Sequence, residues 1–431
     1  MANIHPDPSH ALKWTTDDPS EPLAVTNFRR YLRCQTVQPT PDYASAQVLL
    51  THFGRDLGLA VAVHEPVKGK PVILLTWQDA DPKLKSLVLN SHIDVVPVFP
   101  ELWTQDPWAA DKVDGRIYAR GAQDMKCVGI QYLEAIRELK RKGWAPKRTV
   151  HVMFVPDEEI GGKDGMEKFI ETSAWKELRP ALVLDEGLGN DEDKYKVYHG
   201  ERAPWWIEVT ASGETGHGSQ FIPDTAGPKL NKAIARLLAF RDQQEHLFKT
   251  GTHAATGKPY TLGDVTTLNL TLLSGGVQHN VLPTSLSAKF DIRITPNQKL
   301  ADVRALIDDI CAESGCTWSF VQETKSNHVT PLAGNPWWRA LEAAAAEHGV
   351  ELDPTIFPAA TDSRFVRRAR VPAFGVSPMR KTPVLLHCHD EYLEEKVFVE
   401  GIEFYVKLLP KLDAVGVEEE AEVGTKWTVE C

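Results

Sequence analysis

Short apolar runs alternate with amphipathic helical stretches through the first half of this chain, and that rhythm leaves few folds open. Val72-Ile73-Leu74-Leu75-Thr76-Trp77, Leu87-Val88-Leu89, Val150-His151-Val152-Met153-Phe154-Val155 and Ala181-Leu182-Val183-Leu184 are largely apolar segments of buried-strand length. Between them, residues 127–142 space Ile130, Leu133, Ile136 and Leu139 about one helical turn apart and stop at Gly143. Residues 165–171 read as a further helix. This grammar predicts a mainly parallel sheet with helices on both faces, an α/β catalytic-type domain.

Metal-type side chains follow these runs. Ser86-Leu87-Val88-Leu89 leads into His92-Ile93-Asp94, and further on come Asp124, the pairs Glu158-Glu159 and Asp185-Glu186, and His387. In open α/β sheets, ligands gather at the carboxyl ends of strands. Two imidazoles and several carboxylates, with no cysteine required, form the donor set of a two-zinc hydrolase.

Each motif alone is weak. His92 and Asp94 share a face of an extended segment, but so do many pairs at a solvated loop end. Asp124 precedes the 127–142 helix and reads equally as an N-cap. Glu158 and Glu159, followed by Gly161-Gly162, could simply decorate a helix N-terminus. Adjacent residues point different ways, however, so one carboxylate can bind metal while its neighbour faces water and acts as general base. His217 sits in a Gly-rich loop. Arg293 and Arg364 could be surface ion pairs, yet an arginine fork is the natural partner of a substrate carboxylate. A soft-metal box at His387-Cys388-His389 fits the carboxylate-rich partners poorly. Trp205-Trp206 and Trp337-Trp338 read as packing residues.

Near residue 200 the pattern changes. A strand at 206–210, a helix at 226–245, strands at 267–273 and 286–294, a helix at 300–313 and a strand at 317–322 give the order β-α-β-β-α-β of a ferredoxin-like domain. After it, 336–349 and 397–412 read as helices around a strand at 372–377. The expected organisation is a catalytic domain in two parts, 1–201 and 325–412, an inserted α+β dimerisation (lid) domain at 202–324, and an acidic, mobile tail at 413–431. Residues 246–262 read as a surface loop.

Composition narrows the partners. Asp and Glu outnumber Lys and Arg, 59 to 48, for a net charge of -11. That offers no large basic surface for nucleic acid or an anionic membrane. The six cysteines form no CxxC pair, which fits a reducing compartment. Residues 1–22 lack the apolar core of a signal peptide, and Cys431 is not placed for prenylation. The expected location is cytoplasmic.

Taken together, Ser91–Pro97, Tyr118–Cys127, Phe154–Gly162, Leu184–Gly187, Glu201–Trp206 and Thr382–Glu391 resemble the two-zinc metallopeptidase family that includes acetylornithine deacetylase, succinyl-diaminopimelate desuccinylase, carboxypeptidase G and carnosinase. The likeness runs from about residue 25 to 412. It implies that Asp124 bridges two zinc ions, that His92 and Glu186 complete one site, and that Glu159 and His387 complete the other. It further implies that Asp94 orients His92 and that Glu158 is the general base. His217 would act from the lid of a second subunit in a homodimer, and Asn280, Arg293, Thr361 and Arg364 would hold a small-molecule substrate. The activity implied is hydrolysis of N-acyl-L-amino acids, chiefly N-acetylated neutral ones. A dipeptidase or another deacylase on the same scaffold is the alternative.

Overall fold

The structure, a computed structural model, describes residues 20–78, 81, 83–254 and 256–420. The stretch read for a signal peptide falls almost wholly outside the described residues, as does Cys431. The described chain divides into two compact units, one of 20–199, 330–355 and 361–420, the other of 200–329 and 356–360.

The first unit is built on an eight-stranded mixed sheet. Its order is Ala60–Val67, Lys70–Trp77, Val150–Val155, Ser86–His92, Pro180–Asp185, Ala373–Gly375, Lys194–Glu201 and Glu351–Phe357. The central strands Val150–Val155, Ser86–His92, Pro180–Asp185 and Ala373–Gly375 run parallel. Ser86–His92 and Val150–Val155 are buried at every position. The pleat sends alternate residues to opposite faces. Leu87, Leu89, Val152 and Phe154 enter one core with Ile130, Leu133, Phe398 and Tyr405, whereas Val88, Met153 and Val155 enter the other with Phe169, Trp175 and Val366. The α/β architecture expected from the alternation is therefore present, with a core on each face of the sheet. Gly129 lets the helix Lys126–Arg141 approach closely, since a Cβ there would stand 2.7 Å from Phe154 and 2.8 Å from Ser91 Oγ.

Several elements depart from the sequence expectation. The helix expected at 165–171 is instead a wide turn at Lys163–Glu167, broken at Gly165 (φ -97, ψ -110), followed by the short helix Ser173–Leu178. Gly165 lies so close to the Pro156 carbonyl that no Cβ would fit, and this contact shapes the turn. A three-stranded sheet, Asp111–Val113, Arg116–Tyr118 and Tyr392–Glu394, has strands too short for a periodicity to show. Past Asp413 the described chain stays anchored. Buried Arg148 pairs with Glu420 at 2.8 Å and donates to the Val415 carbonyl at 2.6 Å, and Arg339 pairs with Glu419 at 2.8 Å.

The second unit is a four-stranded antiparallel sheet in the order Thr267–Gly275, Ser285–Ile294, Ala203–Ser212, Cys316–Gln322. The helices Ala226–Thr250 and Leu300–Ser314 share a core with it through Leu230, Leu237, Ile307, Ile310, Ile207, Val209, Phe290 and Ile292. The first helix runs five residues into the stretch read as a loop. Arg241–Glu245 at 2.8 Å and Lys249–Glu245 at 2.6 Å are i,i+4 pairs that support the extra turn.

Candidate metal centre

Five side chains from separate segments of the first unit meet in two donor sets that share one carboxylate. His92, Asp124 and Glu186 form the first; Asp124, Glu159 and His387 form the second. Within each set the candidate ligand atoms lie within 4.8 Å of one another. His92 Nε2 is 3.0 Å from Asp124 and 3.8 Å from Glu186. His387 Nε2 is 3.1 Å from Glu159 and 3.4 Å from Asp124. The parallel strands explain the convergence: His92 ends one, Glu186 follows the end of another, and Glu158-Glu159 lie just beyond a third.

The donor types fit divalent cations. Imidazole nitrogens and carboxylate oxygens suit zinc or another borderline-to-hard metal. Glu159 Oε1 is buried without a hydrogen-bond partner among the described residues, a cost that a bound cation would remove. Burial and then the Asp124 charge raise the Glu159 carboxyl to about 7. Burial opposes ionisation of Asp124 as well, but hydrogen bonds from His387 and His92 outweigh it and hold that carboxyl below the usual range. The same hydrogen bonds, to Asp124 and Glu159, push His387 up to about 10. A proton and a metal would compete for the same imidazole lone pairs.

Glu158 is adjacent to the second set but belongs to neither. Burial raises its carboxyl well above the ordinary range despite the opposing effect of His92, and Asp362 and Glu159 raise it further. A carboxylate poised upward in this way is suited to take and return a proton. Asp362 itself is fully buried, and neither of its oxygens has a hydrogen-bond partner among the described residues. It lies against Gly162, whose positive φ of 62 and missing Cβ leave room for the Asp362 carboxylate.

Two positioning roles differ from a reading of types and spacing. His92 Nδ1 is 2.9 Å from the Asp94 carbonyl oxygen, while the Asp94 carboxylate stands 3.8 Å away. That carboxylate instead accepts the backbone N–H groups of Glu158 (3.1 Å) and Glu159 (3.2 Å). Glu391 was given no role by the sequence beyond lying in the His387 motif. It is fully buried, pairs with Arg120 at 2.6 Å, and accepts the backbone N–H groups of Gly121, Gln123 and Asp124. It therefore holds the loop that delivers the shared ligand. An acid with no assigned role in the motif that carries His387 was the available signal.

The remaining candidates are placed as follows. Arg364 donates to the carbonyls of Thr361 (2.7 Å) and Gly161 (2.8 Å), tying its own turn to the Glu158–Gly162 turn. Thr361 is buried and its hydroxyl accepts the Ser363 N–H. In the second unit, His217 and Asn280 are both exposed, with His217 Nε2 3.4 Å from Asn280 Nδ2. His217 Nδ1 is 2.7 Å from Ser219 Oγ. Arg293 grips Asp291 with two hydrogen bonds, 2.8 and 3.1 Å.

Solved structures share this architecture. A metallo-carboxypeptidase of the M20 family from Sulfolobus solfataricus superposes with a TM-score of 0.71 at 21% identity, covering 92% of this chain and all of that one. A dinuclear metal-binding M20 peptidase from Bacillus subtilis superposes with a TM-score of 0.63 at 15% identity, over 91% and 99% of the two chains. Residues 88–411 match the model of peptidase family M20/M25/M40, and the chain belongs to that family. Within it, the chain is similar to the aminoacylase-1 of Mus musculus, 47% identical over 406 residues, which are 93% of this chain and 98% of the relative.

Proposed function

We infer that this protein is a metal-dependent amidohydrolase that cleaves N-acyl-L-amino acids to a carboxylate and a free amino acid. One observation carries the substrate class: nearly half of all positions match a relative named aminoacylase-1, over nearly the whole of both chains. The two donor sets and Glu158 supply matching chemistry. The metals are proposed to be two zinc ions, with Asp124 shared, His92 and Glu186 on one, and Glu159 and His387 on the other. N-acetylated neutral substrates are the favoured group.

When bound, the cations supply Lewis acidity at the amide carbonyl and lower the pKa of water toward about 7. The chain's own residues do the rest. Glu158 takes the water proton on its carboxylate and returns it to the leaving amine nitrogen. Asp94 and Glu391 fix the backbone on which Glu158, Glu159 and Asp124 stand. His217 and Asn280 offer hydrogen bonds to the developing oxyanion, and Arg293, Thr361 and Arg364 hold the substrate's polar ends. Arg364 can do so only by sharing a guanidinium already bonded to two carbonyls.

His217 is proposed to act from the inserted unit of a second copy in a homodimer. Its exposure, and that of Leu272 and Leu273 on the same unit, supports such a use. The cytoplasm is the proposed location. No helix among the described residues is long and apolar enough to cross a membrane, and the described cysteines are all free.

The test is amino-acid release from N-acetyl-L-methionine by the zinc-loaded protein, with N-acetyl-D-methionine and Ala-Met alongside. Fast, L-selective release from the acetyl substrate is expected. Cleavage of Ala-Met alone would move the reading to a dipeptidase. Silence on all three would mean either that another acyl group is required or that the protein binds metal without turning anything over.

A further inference from the structure

We propose that Gln38 is a positioning residue for the reaction, clamping the turn that carries Glu158 and Glu159 through a buried bridge between Asp94 and Asp157. This rests on reading Glu158 as base and Glu159 as ligand.

The geometry is as follows. Gln38 is buried, and its Nε2 donates to Asp94 Oδ2 at 2.8 Å and to Asp157 Oδ1 at 3.1 Å. It is held there by its backbone, since its N–H bonds to the Val95 carbonyl at 3.0 Å and the Val95 N–H to the Thr36 carbonyl at 3.0 Å. Asp157 adopts a left-handed conformation, φ 63, which costs a residue with a Cβ more than glycine and which its surroundings help to hold. Those surroundings are Tyr43, whose hydroxyl donates to the Asp157 carboxylate at 2.6 Å and accepts its N–H at 2.9 Å, and Lys70, whose ammonium lies 2.7 Å from the same carboxylate.

The consequence is specific to the turn. Three successive backbone N–H groups are fixed by this network: that of Asp157 by Tyr43, and those of Glu158 and Glu159 by Asp94. Gln38 joins the two halves, because it alone among these groups touches both Asp94 and Asp157. Adjacent carboxylates with different tasks need fixed, diverging directions. A misplacement of about 1 Å at a reacting group can cost on the order of 10²-fold in rate. No residue of the bridge is itself in a donor set.

The test uses the full-length, metal-saturated enzyme. Gln38→Met keeps the volume and removes the donor. Tyr43→Phe removes one oxygen and is the milder second variant. Each is measured for kcat and KM on N-acetyl-L-methionine, bound metal, thermal midpoint, and the visible spectrum of the cobalt form, with Glu158→Gln alongside. Gln38→Met is expected to lower kcat roughly 10- to 100-fold, the usual range for groups that orient metal-site residues. KM should stay within about threefold, the pattern of a lost transition-state interaction. The cobalt spectrum should change, because Glu159 is loosened. A double variant combining Gln38→Met with Tyr43→Phe should fall well short of the product of the two single losses, since both act on one turn.

A kcat within about twofold of the parent in well-folded Gln38→Met, an unchanged cobalt spectrum, a fully multiplicative double variant, or a loss confined to the thermal midpoint would each overturn the proposal. If Glu158→Gln is inactive while Gln38→Met keeps full activity, the clamp falls and the site reading stands. An active Glu158→Gln would overturn both.

Discussion

The two units carry their candidate functional residues in opposite ways. In the first, the carboxylates are buried and cross-braced: Asp94 holds two backbone N–H groups, Glu391 holds three together with Arg120, and Asp185 takes hydrogen bonds from Asn90 and Ser363. In the second, His217 stands exposed on a two-stranded ribbon of two residues each, Gly216–His217 and Val281–Leu282, and exposed Asn280 immediately precedes its second strand. A cluster of like charges needs a rigid frame before any cation arrives. A residue that meets substrate or a second subunit must instead be reachable. Changes to the metal ligands and to the carboxylates that brace them should therefore move metal, stability and rate together, and changes on the ribbon should move rate alone.

The strongest challenge to that contrast is metal removal. Dialysis against a chelator should bring amino-acid release to background, and zinc, cobalt or manganese should restore it. Survival of activity would mean that the two donor sets hold nothing the reaction needs. Next is Glu158→Gln, expected to lower kcat by roughly 10²–10⁴-fold while bound metal stays at the parent level. His217→Ala should follow, with a loss of roughly 10²–10³-fold in kcat and no change in metal content or thermal midpoint. A lowered midpoint there would break the contrast, because it would make the ribbon structural. Mixing His217→Ala with Glu158→Ala protein should recover some activity through hybrid dimers. Demonstrated subunit exchange without recovery would argue that His217 acts within its own chain.

Glu391→Leu addresses the frame itself. It strands buried Arg120 and three backbone donors, so urea unfolding should register a loss of about 3–5 kcal/mol. The most gradual effect concerns pH. His387 has its pKa raised from 6.5 to about 10 by Asp124 and Glu159 in the metal-free protein. Its contribution to metal-free stability is complete below 6.5 and is lost as pH rises through about 10. A metal must displace that proton, so metal affinity should rise with pH up to about 10, by up to about tenfold per pH unit. A competition titration at several pH values reads this directly, and a flat profile would mean that His387 carries no proton to displace.

The chain alone made the parallel sheet legible, because Leu87-Val88-Leu89 and Val150–Val155 are apolar on both faces, and only a doubly covered sheet buries both. It also marked His92, Asp124, Glu159, Glu186 and His387, since each follows such a run or closes a dense motif. What it could not show is which atom of a residue does the work. Asp94 meets His92 with its carbonyl and the Glu158–Glu159 backbone with its carboxylate, and no spacing rule separates the two. Arg364 likewise reads as a carboxylate clamp, yet its guanidinium bonds to two carbonyls.

Hydrophobic periodicity and residue type are local properties, so the sequence by itself determined the layered architecture and the chemistry of the donor set. Hydrogen-bond partners are chosen by which loops happen to meet. Gln38 reaches Asp157 across 119 positions, and Glu391 reaches Gln123 across 268. Only the tertiary structure could decide those pairings, because a buried donor or acceptor binds whatever partner the packed chain brings within about 3 Å, however distant in sequence.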